Sequence, residues 1–398
     1  MQVFDQDNDI EYKRKIKLSH VIKSWCSDIE EGAWKQALNL AHLPFIHRHV
    51  ALMSDAHQGF GMPIGGVIAT KDVIIPHAVG SDISCGMVSC KTSLTEIDVE
   101  STKKIMGGIR SKIPVGFSHH SKKQGIDLMP DVTLFNEKHI VFQEFESALK
   151  QLGTLGGNNH FIELQKGSDG HIWIMIHSGS RNLGYKVADH YNKVAIKLNE
   201  KWHTKVPKEW QLAFLPMDSD EGQMYFEEMK YCTEFAFANR KLMMERIKEC
   251  FLEVFPDVKF DEMINIHHNF AAMENHFGEN VLVHRKGATL ARKGTIGIIP
   301  GSQGTASYIV EGLGNPESFM SCSHGSGRKM SRTKAKNELN LEDEIKLLDD
   351  QGIVHGIRHK NDLDEAAGAY KDIEEIISQQ LDLIKVLVKL KPLAVIKG

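Results

Sequence analysis

The sequence predicts an α+β fold, read as one large domain over residues 1–398 with mixed sheets and surrounding helices. Three observations predict it. Short apolar runs broken by glycines intermingle with segments of helical periodicity, without the strict strand–helix alternation of a doubly wound sheet. No repeat of fixed period and no low-complexity linker divides the chain. A chain of 398 residues at 41 % hydrophobic content can bury one large core or two smaller ones, and no linker separates two.

Taken in order, residues 50–80 (VALMSDAHQGFGMPIGGVIATKDVIIPHAVG) and the segment up to 90 read as strands joined by loops that carry polar residues. Residues 135–151 predict a helix, with Phe142, Phe145 and Leu149 at helical spacing. HIWIMI at 171–176 predicts a strand that delivers His177 and Ser178 into a loop. Residues 220–254, rich in Glu, Lys, Met and Phe, predict a long helix. VLVHRKG (281–287) and TIGIIPG (295–301) predict strands. Residues 369–391 predict a last amphipathic helix, followed by the short strand LAVIK.

Composition excludes several classes. The net charge of −4 is not that of a polycation, so a nucleic-acid partner must be argued from local charge. No run of about 18 apolar residues predicts a membrane span. The opening MQVFDQDNDIEYKRKIKL mixes charges and lacks the apolar centre of a signal peptide. The six cysteines, at 26, 85, 90, 232, 250 and 322, form no CxxC pair, which predicts reduced thiols in the cytoplasm.

The chemistry lies in loops. Gly80-Ser81-Asp82-Ile83-Ser84-Cys85-Gly86 places a carboxylate and a thiol three residues apart, where both can reach one borderline metal ion such as manganese or zinc. Alone, it reads as readily as a buried cysteine beside a turn-forming aspartate. Gly156-Gly157-Asn158-Asn159-His160-Phe161-Ile162-Glu163, His177-Ser178-Gly179-Ser180-Arg181 and His267-His268-Asn269 each present a histidine beside small or amide residues. Any one could be a hydrogen-bonded structural histidine. Together with Asp82 and Cys85 they supply enough ligands for two metals, an arrangement suited to phosphoryl transfer.

Pro300-Gly301-Ser302-Gln303-Gly304-Thr305-Ala306-Ser307 follows a predicted strand, and its small residues let backbone N–H groups approach an anion; a plain turn is the other reading. It lacks the Lys-Ser/Thr ending of a Walker A loop. In Cys322-Ser323-His324-Gly325-Ser326-Gly327-Arg328 the histidine is sterically open, as a nucleophile on phosphorus, a general base or a further ligand, and Arg328 could pair with phosphate oxygens. From His284 to Lys336 there are nine Lys/Arg and two Glu, a local net of +7, the footprint of a phosphate or nucleic-acid groove or else a solvated basic face. Aromatic residues are sparse there, so base stacking is not predicted. Lys397, behind an apolar strand, is either frayed or tucked into a site.

These motifs together resemble the RtcB family of RNA ligases, from DAHQGFGMPIGG (55–66) to the final VIKG. GSDISCGM, GGNNHFIE, HSGSR, HHN, RKGAT, ARKG, PGSQG, CSHGSGR, MSRTKAK and AYKDI follow in the family's order. The resemblance implies a single α+β domain. It implies GTP-dependent joining of an RNA 3′-phosphate or 2′,3′-cyclic phosphate end to a 5′-hydroxyl end, in RNA repair or tRNA splicing, with two Mn²⁺ ions. Asp82, Cys85, His160, His177 and His268 match the metal-binding positions, with Cys85 bridging, and His324 matches the histidine that becomes guanylylated. Asn159, Glu163, Asn269, Ser302, Ser307, Gly325, Gly327, Tyr370 and Lys397 match guanylate-contacting positions. Asp55 and His57 match a family loop near the metals, with no task assigned. The partner implied is RNA with broken ends, and the resemblance leaves room for an accessory activating protein. Ser84, Gln303 and Ser326 depart from the usual Gly, Met and Ala, marks of a divergent branch that bear on substrate choice. The other readings are a metal-dependent phosphoesterase with the same ligands and no guanylate, a capping enzyme that activates 3′-phosphates without sealing, and an RNA-binding module with a structural metal.

Overall fold

The computed structural model describes residues 1–4 and 19–398, so most of the mixed-charge N-terminal run lies outside the described residues. Two large sheets organise the chain. One runs in the order Gln2–Phe4, Val21–Ser24, Ile46–His57, Ile64–Thr70, Glu279–Lys286, Asn269–His276; Val21–Ser24 and Ile46–His57 pair in parallel and the rest antiparallel. The other is antiparallel throughout, in the order Ile264–His267, Gly86–Lys91, Ile172–Ser178, Phe161–Gly167, Ile384–Lys397, Ser307–Gly312, Ile296–Ile299. The α+β expectation holds, and the strands expected over 50–90, 281–287 and 295–301 are present.

Alternation decides which side chains reach the site. Ile162, Leu164, Ile174 and Ile176 pack against the helices Val99–Lys112 and Asp220–Val254. Phe161 and Glu163, one residue out of phase, point to the opposite face. The helix Asp220–Val254 spans the expected residues. It starts where the Ser219 hydroxyl accepts the Gly222 N–H at 3.1 Å, with Asp220 and Glu221 in its first turn, and it ends just before Pro256.

Three expectations need correction. Residues 369–391 are not one helix: Ile373–Ser378 is a short helix, and Ile384–Lys397 is a 14-residue strand. IKVLVKLK alternates apolar and basic residues, and Pro392, which cannot continue a helix, sits where the register shifts between Pro392 and Ala394. Residues 135–151 form two shorter helices, Ile140–Gln143 and Phe145–Gln151, and leave Phe142 exposed. His177 and Ser178 are the last residues of their strand, which continues to Ser178 through pairing with Gly86–Lys91. The sequence reading also passed over the helix Arg181–Lys201, although Leu183, Val187, Tyr191 and Ala195 recur at four-residue spacing and are all buried.

Candidate active site

The site forms where one end of the antiparallel sheet meets the strand Ile46–His57. Cys85 precedes the strand Gly86–Lys91; His177 pairs across from Met87 and Phe161; His267 pairs with Gly86; Lys397 pairs with Phe161. Gly86 is required here, because a Cβ on it would stand 2.1 Å from the Ile266 carbonyl oxygen. Its absence lets the strand Ile264–His267 close in and brings His268 beside Cys85. Arg240, buried on the long helix, ties the same segments together. It donates to the carbonyls of Ser84 (2.9 Å) and Ser178 (3.0 Å) and to Asn265 Oδ1 (2.7 Å).

The five expected ligands converge. Cys85 Sγ lies 3.1 Å from His177 Nε2 and 3.3 Å from His160 Nε2. His160 Nε2 lies 3.1 Å from Asp82 Oδ2, and His177 Nε2 lies 3.4 Å from His268 Nε2. Two ligand groups result, Asp82–Cys85–His160 and Cys85–His177–His268, sharing the sulfur. Burial holds the imidazoles of His177 and His268 well below their usual pKa, with neighbouring histidines and Lys397 or Arg240 acting the same way, so both rings are neutral. Burial also lowers His160, although Asp82 pulls the other way. His160 Nδ1 donates to the Leu155 carbonyl at 3.0 Å, which leaves Nε2 bare. Arg181 approaches the same Nδ1 at 2.9 Å. One ring nitrogen cannot donate and accept at once; we assign its proton to the carbonyl, with Arg181 acting as a charge near Asp82. Burial would raise Asp82, but the neighbouring His160 and the charge of Arg181 hold it below the usual carboxylate range. Imidazole lone pairs, a thiol and a carboxylate facing one another with few donors among them fit two cations. Residues His268, Cys85 and Asp82 also line a solvent-open groove of about 1810 Å³ that reaches His324.

His324 follows the strand Ser321–Ser323, its ring centroid 4.7 Å from that of His268. Asp55 Oδ2 accepts from His324 Nδ1 (2.7 Å), from the His324 N–H (3.1 Å) and from the Gly325 N–H (3.2 Å). One buried carboxylate oxygen therefore fixes the ring, keeps the proton on Nδ1 and leaves Nε2 as a free lone pair. Gly327, at φ +69°, allows the loop to cross the Asp55 backbone, where a Cβ would come 2.5 Å from the carbonyl oxygen. Asp55 had no task in the sequence reading, yet its signal is visible: a carboxylate inside an otherwise apolar strand, VALMSDAH. His57 Nδ1 lies 2.9 Å from the Asp55 carbonyl oxygen, and burial lowers the ring to about 4.

On the other side of His324 a pocket is lined by Asn159, Glu163, Ser302, Gly325, Gly327, Tyr370 and Lys397, together with Gln303, Arg328, Arg332 and Glu365. Burial pushes Glu163 up to about 8, against the pull of Lys397. Burial lowers Lys397, against the pull of Glu365 and Glu163. Asn269 and Ser307 do not line this pocket. Asn269 donates to the Asp82 carbonyl (3.0 Å) and accepts the Gly287 N–H (2.7 Å); Ser307 Oγ accepts the Gly301 N–H (3.1 Å). Both brace loops that do line the site.

In the loop 300–307 the N–H groups of Gly301 and Ser302 are already bonded to Ser307 Oγ and Thr305 Oγ1, so they are not available to an anion. The basic block is also less free than its count. Arg285 is buried against Glu274, and Arg292 lies 3.5 Å from the same carboxylate. Arg328 and Arg332 bond Glu365 at 3.1 and 2.7 Å, and Lys336 pairs with Asp364 at 3.3 Å. Glu365, which the sequence reading passed over, gathers both arginines and the Tyr370 hydroxyl, with Lys397 3.8 Å away. Burial would raise it, but the charges of Lys397, Arg332 and Arg328 hold it low. The three departures lie close in. Ser84 adopts φ +56° with Oγ 3.0 Å from His267 Nδ1; Gln303 Nε2 donates to the Glu365 carbonyl (2.8 Å); Ser326 Oγ is buried with no partner among the described residues.

With this geometry in hand, the family described as tRNA-splicing ligase RtcB matches residues 36–143 and 131–398. The chain is similar to the RNA-splicing ligase RtcB of Escherichia coli, 37 % identical over 401 residues that cover 95 % of this chain and 97 % of that protein. The tRNA-splicing ligases RtcB of Methanococcus maripaludis and Thermococcus kodakarensis are 32 % and 31 % identical, each covering 93 % of this chain and 92 % of the relative.

Proposed function

The chain belongs to the RtcB family of RNA ligases, and from that premise we propose that it seals RNA 3′-phosphate or 2′,3′-cyclic phosphate ends to 5′-hydroxyl ends with GTP, through a guanylate carried on His324. The enzyme is an RNA ligase and acts on RNA; the nucleotide, the metal and the covalent step are our reading. The observation that carries it is His324, held by Asp55 with Nε2 free, between a pocket lined by Glu163, Arg328 and Lys397 and a cluster of metal-ligand side chains.

Asp82, Cys85 and His160 would hold one Mn²⁺ ion and Cys85, His177 and His268 a second. Bound there, the ions supply positive charge that stabilises the phosphate oxygens during transfer. His324 Nε2 attacks the α-phosphorus of GTP, a nitrogen–phosphorus bond forms and pyrophosphate leaves. Asp55 stabilises the positive charge that develops on the ring, and the proton stays on His324 Nδ1. An oxygen of the RNA 3′-phosphate then takes the guanylate, and the 5′-hydroxyl attacks the activated end and releases GMP. A cyclic phosphate is opened first. In the pocket, Glu163 offers an acceptor beside the Lys397 donor. Guanine presents the complement on one edge, a carbonyl oxygen next to N–H donors, whereas adenine presents an amino donor there.

Cytoplasmic residence is proposed on the six free cysteines, all buried. Among the described residues no helix is long and apolar enough to cross a membrane.

The test is incubation with Mn²⁺ and GTP labelled at the α-phosphate, followed by denaturing electrophoresis. An acid-labile, alkali-stable label is expected on the wild type and none on His324→Ala, which should retain metal. No label on the wild type with any metal would leave the His324 guanylate without support and favour a phosphoesterase-like chemistry at the same ligands.

A further inference from the structure

We propose that Phe60 is a stacking platform for an RNA base beside the break, an inference that rests on the RNA-ligase reading above. Phe60 stands on the wall of the groove that reaches His324, with 71 % of its surface exposed. A single exposed apolar residue ordinarily needs no explanation. This one differs because its backbone is clamped on every side.

Gln36 grips the preceding peptide twice, Nε2 donating to the Gly59 carbonyl at 2.6 Å and Oε1 accepting the Gly59 N–H at 3.1 Å. The Gln58 N–H donates to the Glu30 carboxylate. The Phe60 carbonyl accepts the Met62 N–H at 2.8 Å and Lys286 Nζ at 2.6 Å. Lys286 is buried, and its other partner is the His77 carbonyl at 3.0 Å. Burying an ammonium is costly, and here it holds the loop that carries one exposed ring. A rigid aromatic ring presented to solvent is the form that contact surfaces take, because little conformational entropy is lost when a ligand covers it.

The occupant follows from the rest of the groove. Its lining includes Arg328 and Arg332, which favour a polyanion, and the side chains on which the RNA ends must converge. Phosphates drawn to that end leave the adjoining bases against the groove wall. Every base has a π-face, so a phenyl ring there holds RNA without reading its sequence.

The experiment uses the full chain, with RNAs carrying one abasic nucleotide at each position near the break in turn. Ligation at subsaturating RNA and direct binding without GTP are both measured. For the wild type, one abasic position is expected to cost roughly tenfold in kcat/KM and in affinity. Phe60→Ala should show that loss on intact RNA and no further loss at that position, and Phe60→Trp should keep the wild-type response. Guanylylation with GTP alone should be equal in all three, a check on folding. Wild-type affinity in Phe60→Ala, or a loss that multiplies with that of every abasic substrate, overturns the platform. A Phe60→Ala protein that sediments as a smaller species shows instead that the ring covers a second copy. Absent guanylylation in the wild type would count against the His324 chemistry, while the binding measurements still decide on Phe60.

Discussion

In the proposed reaction, Glu163 would couple base recognition to pH. Burial pushes its carboxyl up to about 8, so the empty pocket favours the protonated form. Its folded pKa stands above the ordinary 4.5, so this protonation stabilises the fold fully below about 4.5, and the gain is lost as pH rises through about 8. Accepting guanine's N–H groups requires the ionised form, so GTP binding below pH 8 must expel a proton. Titration calorimetry between pH 6 and 8 should show GTP affinity rising as pH rises, by up to about tenfold per unit. The slope should vanish in Glu163→Gln; a pH-independent affinity in the wild type would remove Glu163 from base recognition. At this scale the sequence was read well where a residue's type implies its chemistry: Asp82, Cys85, His160, His177 and His268 lie together. It was read poorly where the role depends on a partner far along the chain. Asp55 orients His324 across 269 positions, and Glu365 gathers Arg328 and Arg332 from 37 and 33 positions away, pairings that no local pattern encodes.

Among the elements, the strand Ile384–Lys397 does most to build the pocket beside His324. It lies between Phe161–Gly167 and Ser307–Gly312, with Lys397 opposite Phe161 and Val395 opposite Glu163, so its register sets the lysine beside the carboxylate. Lys397→Met should leave the strand paired and the melting temperature little changed. It should weaken GTP binding by roughly tenfold or more, the loss of one charge-assisted hydrogen bond of about 1.5–3 kcal/mol, measurable by calorimetry. Unchanged affinity would return Lys397 to a structural role. The same strand shows why the sequence misleads. Its basic residues spaced among Leu, Val and Ile suit a helix face as well as one face of a strand, and only the two flanking strands decide. The long helix Asp220–Val254 was legible because its composition, rich in Glu, Lys, Met and Phe, is a local signal.

At the scale of the molecule, the two proposed metal positions join four separate stretches of chain, around 82–85, 160, 177 and 268. Ions that bind only this assembled set stabilise the folded state, on the order of 3 kcal/mol for one site at a hundredfold excess over its Kd. Adding Mn²⁺ to metal-free protein should therefore raise its melting temperature by several degrees. Cys85→Ala should abolish most of that rise, because one sulfur serves both ligand groups; an undiminished rise would place the ion elsewhere. The order of the strands also bears on synthesis. Residues 384–397 are made after the other six strands of the antiparallel sheet, yet they belong between two of those strands. Until they leave the ribosome, Phe161–Gly167 and Ser307–Gly312 each present an open edge, and unpaired edges invite association with other chains. A ribosome stalled within this last stretch would release a polypeptide whose sheet is split in two and whose pocket beside His324 lacks Lys397. Such a truncated product would be a target for chaperones and proteases rather than a slow ligase.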